Sequence, residues 1–183
     1  QLVEKIQGPE DIHLTLINYH LGCQCRMDGQ LQAAVELMKK VLPQFMKAYG
    51  ETHDYTISAT FQLGLAYMQL NQFELSQPML AKVNTDWEKK YGKSHVMLQD
   101  AKSMLAIVYH RQGKSELAIP LGEEVVAFRQ KTLGDRHPDT MLALNNLGSY
   151  CRNARQLQRA LVHYEKLMEL LSGRQPQPNT NEF

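Results

Sequence analysis

Apolar residues fall at helical spacing in blocks along the chain, and polar breaks at Gly29, Asn71, Gly113 and Arg155 interrupt those blocks every 42 residues. The same interval separates Gly8, Gly50, Gly92 and Gly134. Laid on this frame, four units share a leucine column (Leu21, Leu63, Leu105, Leu147) followed at once by a small-residue column (Gly22, Gly64, Ala106, Gly148). Cys25, Tyr67, Tyr109 and Cys151 align next, and a second small column stands at Ala34, Ser76, Ala118 and Ala160. Each unit therefore reads as two helices joined by a tight turn, the small columns letting the antiparallel pair approach closely. One such pair cannot bury its own apolar face, so the units must stack.

The fourth unit shows a helix opening most plainly. Asp139 to Gly148 follow His137-Pro138, and proline suits an early helical position because its missing amide proton would be unpaired there anyway. Asp135 or Asp139 favours the positive end of that helix. Pro78 and Pro120 share a column and, with Pro43, lie in or near the second helices. Each removes a backbone hydrogen bond and is expected to bend its helix or mark a late start.

Composition narrows the class. The chain has 183 residues, 43% of them apolar, with 20 Lys+Arg against 19 Asp+Glu. A net charge of +1 provides no general attraction to nucleic acid or membrane. Mean hydropathy is −0.41, and neither a spanning apolar stretch nor a basic-then-apolar leader is present, so a soluble chain or a soluble piece of a larger one is expected. Three cysteines, an odd number, argue for a reducing compartment, hence a cytoplasmic location.

The columns resemble the tetratricopeptide repeat, in the 42-residue form of kinesin light chains. Leu133 to Thr140, followed by Leu144-Asn145-Asn146-Leu147-Gly148, is similar to that family's repeat opening, and Tyr164 matches a characteristic late aromatic. The resemblance spans roughly residues 8 to 172 and departs at Asp11, where other units carry His53, His95 and His137, and at Arg155, where glycine or asparagine is expected. It implies an all-α, right-handed superhelical solenoid of antiparallel helix pairs. Residues 1–7 then read as the end of a preceding repeat helix, 8–49, 50–91, 92–133 and 134–172 as four repeats, and 173–183 as a disordered tail.

Chemistry-bearing residues fit catalysis and metal binding poorly. The aligned histidines would lie on the order of 20 Å apart in stacked helix pairs, too far to share a metal, and suit helix starts and packing between units. Cys23-Gln24-Cys25 lacks a second ligand pair and reads as structural thiols. Phosphate-binding glycine loops, paired-carboxylate signatures and nucleophile elbows are absent. No enzyme activity, cofactor or metal is expected.

Function is therefore expected on the inner surface, which the resemblance assigns to the first helix of each unit. Its columns offer Leu16, Tyr19, Phe61, Leu65 and Met68 as anchors toward the N-terminus, with Ile107 farther along. Arg26, His110, Arg111 and Arg152 supply positive charge against Asp100, and Asn145 and Asn146 can hydrogen-bond a main chain. Tyr19 and Phe61 stand where a carboxylate clamp for chaperone C-termini would need polar groups. The leading expectation is a non-catalytic scaffold that binds a peptide with an aromatic or leucine anchor and acidic flanks, or a neighbouring domain. The alternatives are a module that homodimerises through the apolar residues of 157–172, and a regulatory sensor within a larger protein. Neither nucleic acid nor membrane insertion is expected.

Overall fold

Backbone conformation sets the 42-residue interval. Gly50, Gly92 and Gly134 close helices at φ 88°, 77° and 87° with ψ 168°, 172° and 163°, a region essentially reserved for glycine. A Cβ built at any of the three meets nothing within 4 Å, so the dihedral, and not crowding, requires glycine there.

The computed structural model describes residues 12–173, and every regular element among them is a helix. In order these are α1 (Ile12–Met27), α2 (Leu31–Tyr49), α3 (Asp54–Gln69), α4 (Phe73–Tyr91), α5 (Val96–Arg111), α6 (Ser115–Leu133), α7 (Pro138–Asn153) and α8 (Leu157–Ser172). Starts of first helices and starts of second helices each recur every 42 residues. The readings of 1–7 as a helix end and of 174–183 as a tail lie outside the described residues, as do Gly8 and Asp11.

The turn inside each pair has one recurring geometry. Gly29, Asn71, Gly113 and Arg155 adopt φ of 77°, 58°, 77° and 62°. The next amide then reaches back five residues, Gln30 to the Cys25 carbonyl at 2.8 Å and Gln156 to that of Cys151 at 2.9 Å. This is the hydrogen-bonded helix stop that a left-handed residue permits. Between pairs, His53 and His137 cap the following helices, their Nδ1 atoms accepting from the Tyr55 and Asp139 amides at 3.2 Å. His53 also stacks on Tyr49, and His95 on Tyr91, with ring centroids 4.5 Å apart. The histidine column thus ties the end of one second helix to the start of the next first helix. Pro43, Pro78 and Pro120 lie inside α2, α4 and α6, which run through them, so none marks a late start.

Packing divides the chain into two units, one ending at Met104 and the other beginning at Leu105, with α5 contributing to both. In the first, Val41 and Phe45 of α2 pack with Ala59 and Leu63 of α3, and Val83 and Trp87 of α4 pack with Leu98 and Ala101 of α5. In the second, Val125 and Val126 of α6 pack with Ala143, Leu144 and Leu147 of α7. Phe45 and Trp87 are fully buried, and truncating either to alanine would cost about 3–5 kcal/mol.

Within a pair, the first small column trades volume with the position sixteen residues later. A Cβ at Gly22, Gly64 or Gly148 would lie 2.7, 3.0 or 2.7 Å from Met38, Leu80 or Tyr164, each sixteen residues later. In the third repeat the exchange is reversed: Ala106 stands in the first small column, and Gly122 takes the place held by Met38, Leu80 and Tyr164 in the other repeats. Space at Gly122 is taken up by Leu147 and Tyr150, both 3.2 Å from the position of an added Cβ. Ser76, in the second small column, donates to the Gly64 carbonyl at 2.7 Å and closes the gap with a hydrogen bond.

Candidate functional site

The residues assigned to the inner surface all lie on first helices. In the first unit α1 carries Leu16, Tyr19 and Arg26, and α3 carries Phe61, Leu65 and Met68. Tyr19 is half-buried with its ring 5.7 Å from that of Phe45. Burial, reinforced by the neighbouring Cys23 thiol, holds its phenol well above the ordinary range, with Ser58 hydrogen-bonded to it. Burial also raises the Cys23 thiol. Phe61 is half-buried on Trp87, centroid to centroid 5.2 Å. Leu16 packs beside Tyr19, Met68 is half-buried, and Leu65 is buried, so Leu65 presents little surface to a ligand.

Arg26 does not stand free. Its Nε donates to Gln62 Oε1 at 2.8 Å and its Nη1 to Gln69 Oε1 at 3.5 Å, bridging α1 to α3. The first unit therefore offers a packed apolar floor and a cation already held by two amides. Gln62 shares a column with Asn146, and following that column through all four repeats would have found it.

The second unit carries Ile107, His110 and Arg111 on the last turns of α5, and Asn145, Asn146 and Arg152 on α7. His110 Nδ1 lies 2.9 Å from Ser115 Oγ, and the ring is 5.0 Å from Tyr150. Burial, followed by the charges of Arg111 and Arg152, holds this imidazole below its ordinary value. These three groups are thus close enough to act on one another. Arg111, Arg152 and Asn145 are exposed, Ile107 and Asn146 half-buried. An open depression beside them is lined by Gly113, Ser115, Arg152, Asn153 and Arg155, with Leu157 at its edge.

Among the described residues, Arg111, Arg152 and Arg155 form no ion pair. Sequence reasoning placed the first two; it treated Arg155 only as a departure from the turn pattern, although that departure was itself the signal. It also missed Lys102, buried in a column otherwise filled by Asn18, Thr60 and Leu144, whose Nζ lies 3.4 Å from Glu88 Oε2. Among the described residues no group of His, Cys, Asp or Glu side chains is placed to hold a metal ion, and no helix is long and apolar enough to cross a membrane.

Residues 98–172 match the tetratricopeptide repeat family. No curated protein sequence matches the chain. Among solved structures, the nearly identical TPR-like repeats of a protein from Podosopora anserina assigned as a kinesin light chain superpose with a TM-score of 0.78 at 24% identity, over 96% of this chain and 84% of that one. BtubC (BKLC) from P. vanneervenii gives 0.77 at 19% identity, over 97% and 71%. MamA from AMB-1 gives 0.67 at 19% identity, over 94% and 87%. At these identities the likeness is one of fold.

Proposed function

We propose that this chain, with tetratricopeptide repeats at residues 98–172 and the fold of kinesin-light-chain-like repeat arrays, is a non-catalytic protein-interaction scaffold whose first helices bind a peptide. The observation that carries the reading is the exposed pair Arg111 and Arg152, which have no carboxylate partner among the described residues and flank the half-buried His110. Unpaired guanidinium groups beside an exposed asparagine suit carboxylate side chains and a peptide main chain. We assign acidic residues of the ligand to Arg111 and Arg152, and main-chain hydrogen bonds to Asn145 and Asn146. In the first unit, taken by itself, Leu16, Tyr19 and Phe61, with Met68, supply apolar side chains on first helices that suit an aromatic or leucine residue. Three free cysteines fit a cytoplasmic setting for this scaffold.

Titration of a fluorescent acidic peptide bearing one aromatic or leucine anchor tests the reading. A hydrogen bond to a charged group contributes about 1.5–3 kcal/mol, so Arg152→Glu should weaken binding by roughly tenfold or more. Equal affinity for the acidic peptide and its lysine-substituted counterpart, or no effect of Arg152→Glu, would remove this surface from consideration.

A further inference from the structure

The fourth repeat departs from the others at its turn, and the departure adds charge. Arg155 stands in the column of Gly29, Asn71 and Gly113, and Arg152 in that of Arg26, Met68 and His110, so this turn alone brings two arginines three residues apart. Arg155 adopts φ 62°, in the left-handed region where glycine fits without strain and arginine does not. The position thus carries a long cation where backbone conformation favours glycine. A local conflict of this kind points to function.

Both arginines line one open depression within the second unit, which Gly113, Ser115, Asn153 and Leu157 complete. An adjoining depression shares Ser115, Asn153 and Arg155 and adds Lys114, which donates to Gln112. Among the described residues, Glu116 is the single carboxylate on either lining, against three cations. Arg152 and Arg155 are exposed and form no ion pair among the described residues. α6 starts at Ser115 and α8 at Leu157, and neither Lys114 nor Gln156 before them caps its helix with a side chain. The first amides of both helices therefore add positive partial charge to that of the guanidinium groups.

We propose that this depression receives a phosphorylated serine or threonine side chain of the bound peptide, its oxygens held by the Arg152 and Arg155 guanidinium groups and by the Asn153 amide. A phosphomonoester carries about −1.5 to −2 charges at neutral pH and three acceptor oxygens, so it engages two guanidinium forks at once, where a carboxylate has two oxygens and one charge. The lining holds no aromatic side chain on which a nucleobase could stack, and the depression is open, so a phosphate carried on a peptide suits it better than a nucleotide. The inference rests on the peptide-binding reading and sharpens it, because Arg155, which that reading leaves unused, is what separates phosphate from carboxylate.

Three fluorescent peptides, identical except for phosphoserine, glutamate or serine at one acidic position, test it by anisotropy titration. Phosphoserine should bind the unmodified chain roughly tenfold tighter than glutamate, the gain of one further hydrogen bond between charged groups. Arg155→Gly relieves the left-handed strain, so the variant should melt no lower than the unmodified chain, yet it should bind the phosphoserine and glutamate peptides alike. Equal affinity of the unmodified chain for phosphoserine and glutamate, with serine weaker, would overturn the inference and leave the peptide reading standing. Equal affinity for all three would overturn both. An undiminished preference for phosphoserine in Arg155→Gly would also overturn the inference. Inorganic phosphate that displaces the phosphoserine peptide at equal concentration would assign the depression to a free anion, and tighter binding of a single-stranded oligonucleotide would assign it to nucleic acid. Either result overturns the peptide as its source.

Discussion

Replacing Gly134 by alanine separates backbone conformation from packing. Gly134 lies at φ 87° and ψ 163° between α6 and α7, where strain for a residue with a Cβ is about 1–3 kcal/mol. Alanine also restricts the unfolded chain, which offsets roughly 0.4–1 kcal/mol. No third contribution enters, because an added Cβ meets nothing within 4 Å. The net expectation is a loss of about 1–2 kcal/mol. If the backbone relaxes instead, the bonds from the Gly134 amide to Gln130 at 3.1 Å and from the His137 amide to the Gly134 carbonyl at 3.4 Å are lost, with an effect of the same sign. Thermal unfolding followed by circular dichroism would show this as a drop of roughly 2–8 °C for a chain of this size. Since the site is open, Gly134→Gln should cost about as much as Gly134→Ala. A neutral or stabilising alanine, or a cost that climbs steeply with side-chain size, would refute the reasoning.

Arg155 gives the opposite sign. Its φ of 62° costs a residue with a side chain roughly 1–2 kcal/mol, so Arg155→Gly should stabilise the chain by about 0.5–1 kcal/mol in the same melt after the unfolded-state entropy of glycine is subtracted. Acid should weaken the second unit near neutrality: burial lowers both His110 and His163, so the unfolded chain takes up protons first as pH falls below about 6.5. The stability these rings contribute is present above that value and is lost as pH drops through their lower folded values. Urea midpoints at two pH values bracketing that window should differ less in His110→Gln than in the unmodified chain. Asp54, lowered chiefly by its hydrogen bonds from Lys90 and Tyr91, acts only in the carboxylate range and leaves this window unaffected.

Periodicity made the helix pairs readable because each repeated column answers to a local physical demand. Gly50, Gly92 and Gly134 are fixed by a dihedral, Gly22, Gly64 and Gly148 by a close helix approach, and Pro138 by the first turn of α7. The prolines were legible as lying in the second helices, which run through Pro43, Pro78 and Pro120 with the rings exposed, so that only the late start falls away. Site residues were legible as positions but not as states. Column arithmetic put Arg26 and Arg152 on equivalent sites, yet Arg26 is held by Gln62 and Gln69 while Arg152 is exposed and without an ion pair among the described residues. That difference depends on which amides lie across the helix contact. Leu65 and Met68 likewise look interchangeable in sequence and differ in burial.

Hydrogen exchange of the chain with and without the acidic, aromatic-anchored peptide addresses the central claim most directly, because it reports where binding occurs without altering a residue. Peptide binding through the first helices predicts added protection at the last turns of α5 around His110 and Arg111 and along α7 from Asn145 to Arg152, with little change in α6. Protection confined to the second helices, or no change at saturating peptide, would contradict it.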